Sequence, residues 1–245
     1  MGVAKPRESN VAFLSRANIV APSLALLRKT RTERTNAKTD FGALEAWCAA
    51  VLLKAERVDV NANAKRQNEK SARELAKLST SSNWHTRVES FLTEAGIALV
   101  ILEHFPGTYL DGAAMCRSDG APVIALTLRH DRIDNFWFTL LHEYAHVACH
   151  LGRDTPLILD DLEVKTSDSM ESEADEFARN ALIPPEVWKL YDNDEMDAED
   201  LEAMAREAEV HQAIIAGRWR FEHSDYRRFN RILGRGEVRK LFGTA

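Results

Sequence analysis

Cysteine is scarce in this sequence. Its 245 residues include three cysteines, Cys48, Cys116 and Cys149, which are widely spaced and form no C-x-x-C pair. An odd number of distant cysteines argues against a disulfide framework and against a zinc knuckle. We therefore expect a protein of a reducing compartment that is stabilised by an apolar core.

Long apolar runs are also missing. No segment approaches the roughly 18 consecutive apolar residues that a membrane helix needs. The mildly apolar stretch 11–27 is interrupted by Arg16, Asn18 and Pro22, and no convincing small-residue cleavage site is present. We expect a cytoplasmic protein that does not contact a membrane.

The charge is unevenly distributed along a chain of ordinary globular composition, with 45% hydrophobic and 29% charged residues. Residues 1–80 hold 15 basic and 8 acidic side chains, which would suit an acidic partner or nucleic acid. Solvated helix faces explain the excess more simply, because no strong aromatic-and-basic platform accompanies it. Direct nucleic-acid binding is therefore doubtful.

The predicted elements run as helices, then a small sheet, then helices, which indicates an α+β fold. The predicted helices are 41–58, 71–78, 83–95, 134–151, 169–182, 186–192, 197–209, 210–222 and 224–234, and the predicted strands are 97–102, 113–117 and 122–128. An acidic loop is expected at 153–167. Residues 1–40 are expected to be irregular and basic, residues 41–80 to form a helical N-terminal region, and residues 81–245 to form the main domain.

The segment from His142 to His146 reads HEYAH. On an α-helix, residues four apart share one face, so both imidazoles can reach one zinc ion. Glu143, beside that pair, can take a proton from a water molecule as a general base. With 8 His and 22 Glu in the chain, chance would give about 0.02 such motifs. The motif therefore predicts a metallopeptidase site.

A catalytic zinc site needs a third protein ligand. His150 lies eight residues from His142, a helical rise of about 12 Å, so we expect it to be structural or to line a pocket. The helix at 169–182 is a better source. Glu171 and Asp175 share one of its faces, so that one can bind the metal while the other accepts a ring N–H from a ligand histidine. Glu173 points away from that face, towards solvent.

Other catalytic groups stay open at this stage. His211, Tyr191 and Arg218 follow the ligand helix and are candidates for stabilising an oxyanion, although a structural role is the more common one for each. His211 is retained as a candidate catalytic residue. If the strand at 122–128 were an exposed edge, it could pair with an extended substrate.

Two phrases, NFWFTLLHEYAHVACHL and ESEADEFARNALIPP, resemble the ImmA/IrrE family of zinc metallopeptidases, which are of the gluzincin type. The flanking LDGAAMCRSDGAPVIALTLRHDRIDNFWFTLLHE and the tail beginning VHQAIIAGRWRFE are similar to the C-terminal domains of HigA-like antitoxins and related regulators. The resemblance implies a zincin-like domain over residues 81–245, with a small sheet beside the HExxH helix.

The resemblance also assigns roles by matched position. His142, His146 and Glu171 match the ligands of one zinc ion, Glu143 matches the catalytic carboxylate, and Asp175 matches a position held by Asn or Asp. It implies an endopeptidase that cuts helix-turn-helix repressors and so switches on a stress or mobile-element response. The expected partner is a DNA-binding repressor or a toxin.

An alternative function is also implied by the resemblance. The chain would then be an antitoxin-like transcriptional regulator whose zinc domain senses a signal or binds a partner without proteolysis. Residues 1–40 show no helix-turn-helix pattern, so DNA binding by this chain alone is not expected. An intact HExxH favours the enzyme, because a purely structural zinc site has no need of Glu143.

Overall fold

A computed structural model describes residues 12–13, 39–64, 67–152, 155, 157–159 and 169–244. Most of the predicted N-terminal segment 1–40 and of the expected acidic loop 153–167 lies outside these residues. In the described part of the chain, no helix is both long enough and apolar enough to cross a membrane. The mixture of helices with one small sheet confirms the predicted α+β class.

The helices agree closely with the predicted ones as far as Glu222. They are α1 (Phe41–Ala55), α2 (Glu69–Lys77), α3 (Trp84–Glu94), α4 (Ile133–Ala145), α5 (Ser169–Leu182), α6 (Pro185–Tyr191), α7 (Ala198–Glu207), α8 (Gln212–Glu222) and α9 (Val238–Leu241). A 3-10 turn, Leu78–Thr80, follows α2, and a π-helical turn, His146–His150, follows α4.

The predicted helix at 224–234 is wrong. This stretch forms successive turns, with Ser224 and Phe229 in the left-handed region at φ 53° and 55°. The buried guanidinium of Arg220 donates to the backbone oxygens of Tyr226 and Arg228. Carbonyl groups that accept hydrogen bonds from this side chain are not paired within a helix. The short helix α9, which was not predicted, follows this stretch.

The described residues form a four-stranded sheet of β1 (Ala98–Ile101), β2 (Gly112–Cys116), β3 (Pro122–Leu126) and β4 (Leu157–Leu159). The strand order is β1-β3-β2-β4, with β1 parallel to β3 and the other pairs antiparallel. β3 therefore pairs on both sides, and the idea that 122–128 is an exposed edge is wrong. Its continuous buried run suits an interior strand.

The chain divides into two compact units. The first comprises Met1–Arg66, Leu92–Arg129 and His146–Asp168 and contains the sheet. Within it, α1 packs on β1 and β3, and the indole N–H of Trp47 donates to the carbonyls of Leu102 and Glu103. The π-helical turn contacts β2 and β3 in the same unit, so His146 is anchored beside the sheet.

The second unit comprises Gln67–Phe91, His130–Ala145 and Ser169–Ala245 and is helical. Helix α4 packs against α2, α5 and α8. The Tyr144 hydroxyl lies 2.8 Å from both Gln67 Oε1 and Ser71 Oγ, which ties α4 to the start of α2. Arg73 of α2 donates to the carbonyls of Ala181 and Leu182 at the end of α5, so α5 is held at its C-terminus.

Candidate metal centre

The two histidines are buried, with His142 on helix α4 and His146 on the π-helical turn that follows it. His142 is 2% exposed, and both Glu143 and His146 are fully buried. The helical stretch continues without interruption through His146, so the spacing of the two histidines is set locally by the backbone. After Ala145 the helix widens, since the Leu151 N–H donates to the His146 carbonyl five residues earlier at 2.7 Å.

The two ring nitrogens of His142 face two carboxylates of α5. Nε2 lies 3.2 Å from Oε2 of Glu171, and Nδ1 lies 3.0 Å from Oδ1 of Asp175. The four-residue spacing of Glu171 and Asp175 on α5 produces this arrangement, because it places both carboxylates on one helix face. One histidine thus contacts a candidate metal ligand with one nitrogen and a candidate orienting group with the other.

His142, His146 and Glu171 form a group that could hold a metal ion. Each offers one ligand atom, and these atoms all lie within 4.8 Å of one another. No other group of three or more His, Cys, Asp or Glu side chains among the described residues has this spacing. Two imidazoles and one carboxylate are the donor set of many catalytic zinc sites, which keep a fourth position for water or substrate.

Glu143 follows His142 directly and its side chain is removed from solvent. A carboxylate is costly to bury unless hydrogen bonds or a nearby cation compensate for the lost hydration. A metal ion held by the candidate ligands would lie near Glu143 and would lower the cost of burying its carboxylate. Its role as a general base stays a prediction.

Two further contacts around the candidate ligands were not predicted from the sequence. Arg179 lies one helical turn after Asp175, with its Nη1 3.8 Å from the second carboxylate oxygen of Asp175. His150 Nδ1 lies 2.9 Å from His146 Nδ1. The Arg179 contact has a sequence signal, an Asp and an Arg four residues apart on one helix. His146 and His150 are also four residues apart, whereas the π-helical turn on which they lie has no clear sequence signal.

The remaining candidates make other contacts. His211 is the N-cap of α8: its Nδ1 accepts the Ala213 N–H at 3.1 Å, and burial lowers its pKa. The Tyr191 hydroxyl donates to Glu207 Oε2 at 2.8 Å. Arg218 lies 4.0 Å from the ring centroid of Trp188 and donates to Glu222. These contacts explain the three side chains structurally, and a catalytic role for His211 stays a prediction.

The flanking carboxylates of α5 differ from Glu171 in exposure. Glu173 and Glu176 are exposed, whereas Glu171 is half-buried with its Oε2 3.2 Å from Nε2 of His142. The face of α5 that carries Glu171 and Asp175 is therefore the one turned towards His142, as the helical spacing predicts.

Comparison with known protein families identifies a related domain. The family model described as Peptidase_M78, IrrE N-terminal-like domain, matches residues 97–220, which is just over half of the chain. The matched span includes all of the candidate ligands together with Glu143 and Asp175. No protein in the curated set matches the chain.

Proposed function

The chain belongs to the Peptidase_M78 family, the ImmA/IrrE family, and we propose that it is a zinc-dependent endopeptidase of the gluzincin type that cuts a regulatory protein. The observation that carries this proposal is the convergence of His142, His146 and Glu171, with Glu143 beside them. Family membership supports a metallopeptidase. The metal, the substrate and the role of each residue are our inference.

The donor set fits a zinc ion. Ligand atoms at about 2.0–2.1 Å from a tetrahedral zinc ion lie about 3.3 Å from one another. The 3.2 Å separation of His142 Nε2 from Glu171 Oε2 is of this size. The mixture of nitrogen and carboxylate donors also favours zinc over calcium or magnesium, which prefer oxygen ligands.

Asp175 orients the imidazole of His142. With Nε2 of His142 directed at Glu171, its Nδ1 carries the proton and donates to Asp175 at 3.0 Å. A carboxylate in this position holds the imidazole in one tautomer and increases its basicity as a ligand. The contact of Arg179 with the other oxygen of Asp175 holds that carboxylate in turn.

When bound, a zinc ion lowers the pKa of a coordinated water molecule and polarises the scissile carbonyl group. Glu143 then acts as the general base: one carboxylate oxygen takes a proton from the attacking water and passes it to the departing amide nitrogen. Its burial keeps bulk water from competing for that proton. The adjacent position of Glu143 and His142 on one rigid helix keeps the base at a constant distance from the site.

The substrate that we propose is a helix-turn-helix repressor, so that cleavage would release the genes it controls. A toxin is the second candidate. This part of the proposal rests on the resemblance of the sequence to the ImmA/IrrE metallopeptidases and to HigA-like antitoxins.

The test is cleavage of the regulatory protein encoded beside this chain. Wild-type protein and a Glu143→Gln variant are each loaded with zinc and incubated with that protein, and fragments are identified by mass spectrometry. Cleavage by the wild type alone is the expected result, because the substitution leaves the ligands in place and replaces the basic carboxylate by a neutral amide. Tight binding with no fragments would favour the antitoxin-like regulator, and equal cleavage by both proteins would exclude Glu143 as the base.

A further inference from the structure

His146 and His150 lie against each other on the π-helical turn. Their Nδ1 atoms are 2.9 Å apart, and their ring centroids are 5.1 Å apart with the ring planes inclined by 54°. His146 is fully buried and His150 is half-buried. A separation of 2.9 Å between two ring nitrogens is a hydrogen bond, and such a bond contains a single proton.

The local backbone brings this pair together. In an α-helix, four residues rotate by about 400°, so that side chains four apart are offset by about 40°. The turn that begins at His146 is wider, with a hydrogen bond from Leu151 back to His146, and therefore rotates less for each residue. His150 consequently lies about one turn after His146, on the same side of the helix. The helix changes from α to π at the candidate ligand itself.

The position of the shared proton follows from the role proposed for His146, and this inference rests on that proposed function. With Nδ1 of His146 facing His150, the other nitrogen, Nε2, is the one left for a metal ion. A coordinating nitrogen must offer a lone pair, so the neutral ring carries its proton on Nδ1. His146 therefore donates its Nδ1–H, and Nδ1 of His150 accepts it.

We propose that His150 is a positioning residue of the metal site, which fixes the tautomer and ring orientation of His146 by accepting its Nδ1–H. Each ligand histidine then has its own acceptor: the Asp175 carboxylate for His142 and a neutral imidazole for His146. Outer acceptors of this kind typically change metal affinity by 10–100-fold when removed, about as much as we expect here.

His150 could instead be a metal ligand, but the geometry favours the positioning role. Its Nδ1 is used by His146. Among the described residues, the group with ligand atoms within 4.8 Å of one another consists of His142, His146 and Glu171 and does not include it. His150→Asn separates the two roles, because its amide oxygen can accept a hydrogen bond but cannot replace an imidazole as a metal ligand.

The experiment compares zinc affinity of the full chain by competition with a chromophoric chelator. His150→Phe retains a ring but has no acceptor, and we expect its affinity to fall about 10–100-fold. His150→Asn places an amide oxygen near the position of the lost Nδ1, so affinity should stay within about threefold of wild type. His130→Phe, at an exposed histidine, is the matched control and should be unchanged.

A second readout reports the proton directly. In the zinc-loaded wild type, nitrogen NMR should show His146 protonated at Nδ1, with an N–H signal that is protected from exchange with water. His150→Phe should lose that protection. If this variant fails to fold, as circular dichroism of the metal-free protein would reveal, the wild-type signal and the affinity of His150→Asn decide the question.

Several results would overturn the proposal. Wild-type affinity in His150→Phe would exclude any role at the site. Loss of zinc from both variants, with an altered absorption spectrum of the cobalt-substituted protein, would make His150 a ligand. If His146 were protonated at Nε2, His150 would donate the hydrogen bond and His146 would accept it, contrary to the proposal. If the wild type did not bind zinc, the proposed function itself would be refuted. The zinc affinity of the wild type alone distinguishes this outcome from failure of the His150 proposal.

Discussion

Asp175 Oδ1 lies 3.0 Å from Nδ1 of His142, on the side of the ring opposite to Glu171. This relationship joins the two helices that carry these residues, α4 and α5, through a pair of side chains rather than through the backbone. It also decides which nitrogen of His142 is left for a metal ion. Substitutions on α5 can therefore alter the two sides of the ring separately.

Removal of the Asp175 carboxylate should weaken metal binding without abolishing it. In Asp175→Ala, Nδ1 of His142 loses its acceptor and the ring is no longer held in one tautomer. We expect zinc affinity to fall about 10–100-fold, measured by chelator competition. Asp175→Asn retains an acceptor oxygen, and its affinity should lie between those of Asp175→Ala and the wild type. An Asp175→Ala protein with undiminished affinity would remove Asp175 from the site.

Glu171 and Glu173 provide a matched pair on one helix. Glu171 is half-buried with Oε2 3.2 Å from His142 Nε2, whereas Glu173 is exposed. Glu171→Gln should lower zinc affinity by at least about 100-fold, because a direct ligand is lost rather than an outer one. Glu173→Gln should leave it unchanged. Metal analysis after dialysis measures both, and zinc retained by Glu171→Gln would point to another carboxylate as the third ligand.

The sequence predicts the site better than its surroundings, for physical reasons. The period of α4 and α5 is a local property, and Pro184 and Pro185 stop α5 where the structure ends it, so the facing of His142 and Glu171 can be anticipated. The strand β4 is three residues long and forms only because β2 supplies a partner distant in sequence. Pairing of that kind has no local signal.

The π-helical turn is missed for a related reason. Widening a helix by one residue leaves the apolar period nearly unchanged, so the sequence pattern does not distinguish a regular helix to residue 151 from the observed turn at His146–His150. Regular helix geometry separates His150 from His142 by a rise of about 12 Å and places it on the same face as His146, but it does not specify the 2.9 Å contact between the two Nδ1 atoms.

Stability should depend on pH through His223. Its Nε2 lies 2.8 Å from Asp192 Oδ1 and its Nδ1 lies 3.0 Å from Asp194 Oδ1; the bond to Asp192 is the main cause that raises its pKa. A pKa raised on folding stabilises the folded state fully below the unfolded value, about 6.5, and this contribution is lost as pH rises through the folded value.

The comparison that tests this is wild type against His223→Gln, unfolded in urea with chelator present at pH values from about 5.5 to 8.5. The free energy of unfolding should be higher for the wild type than for the variant. This difference should be largest at the acidic end of the range and should shrink as pH increases. His130→Gln, at an exposed histidine, serves as the control. A difference that stays constant or grows with pH would contradict the raised pKa.

Helix packing at Gly217 should reverse the usual effect of a glycine-to-alanine change. In a helix interior alanine is ordinarily better than glycine by about 1 kcal/mol. A Cβ at Gly217 of α8, however, would lie 2.6 Å from both Cβ and Oδ2 of Asp134 on α4. Asp134 is buried and bonded by Arg132 through two nitrogens, so it cannot move aside easily. We expect Gly217→Ala to lower the free energy of unfolding by about 1–3 kcal/mol.

Gly42 of α1 is the matched control, because a Cβ there meets one atom, Asp40 Oδ1, at an ordinary 3.4 Å. Gly42→Ala should therefore keep the sign of helix propensity and raise stability by up to about 1 kcal/mol. Urea unfolding of the two variants beside wild type measures both changes. Opposite signs are the expected result, since the same substitution gains backbone stability at both positions and only at Gly217 forces α4 and α8 apart. Stabilisation by both changes would mean that α4 and α8 can separate at little cost.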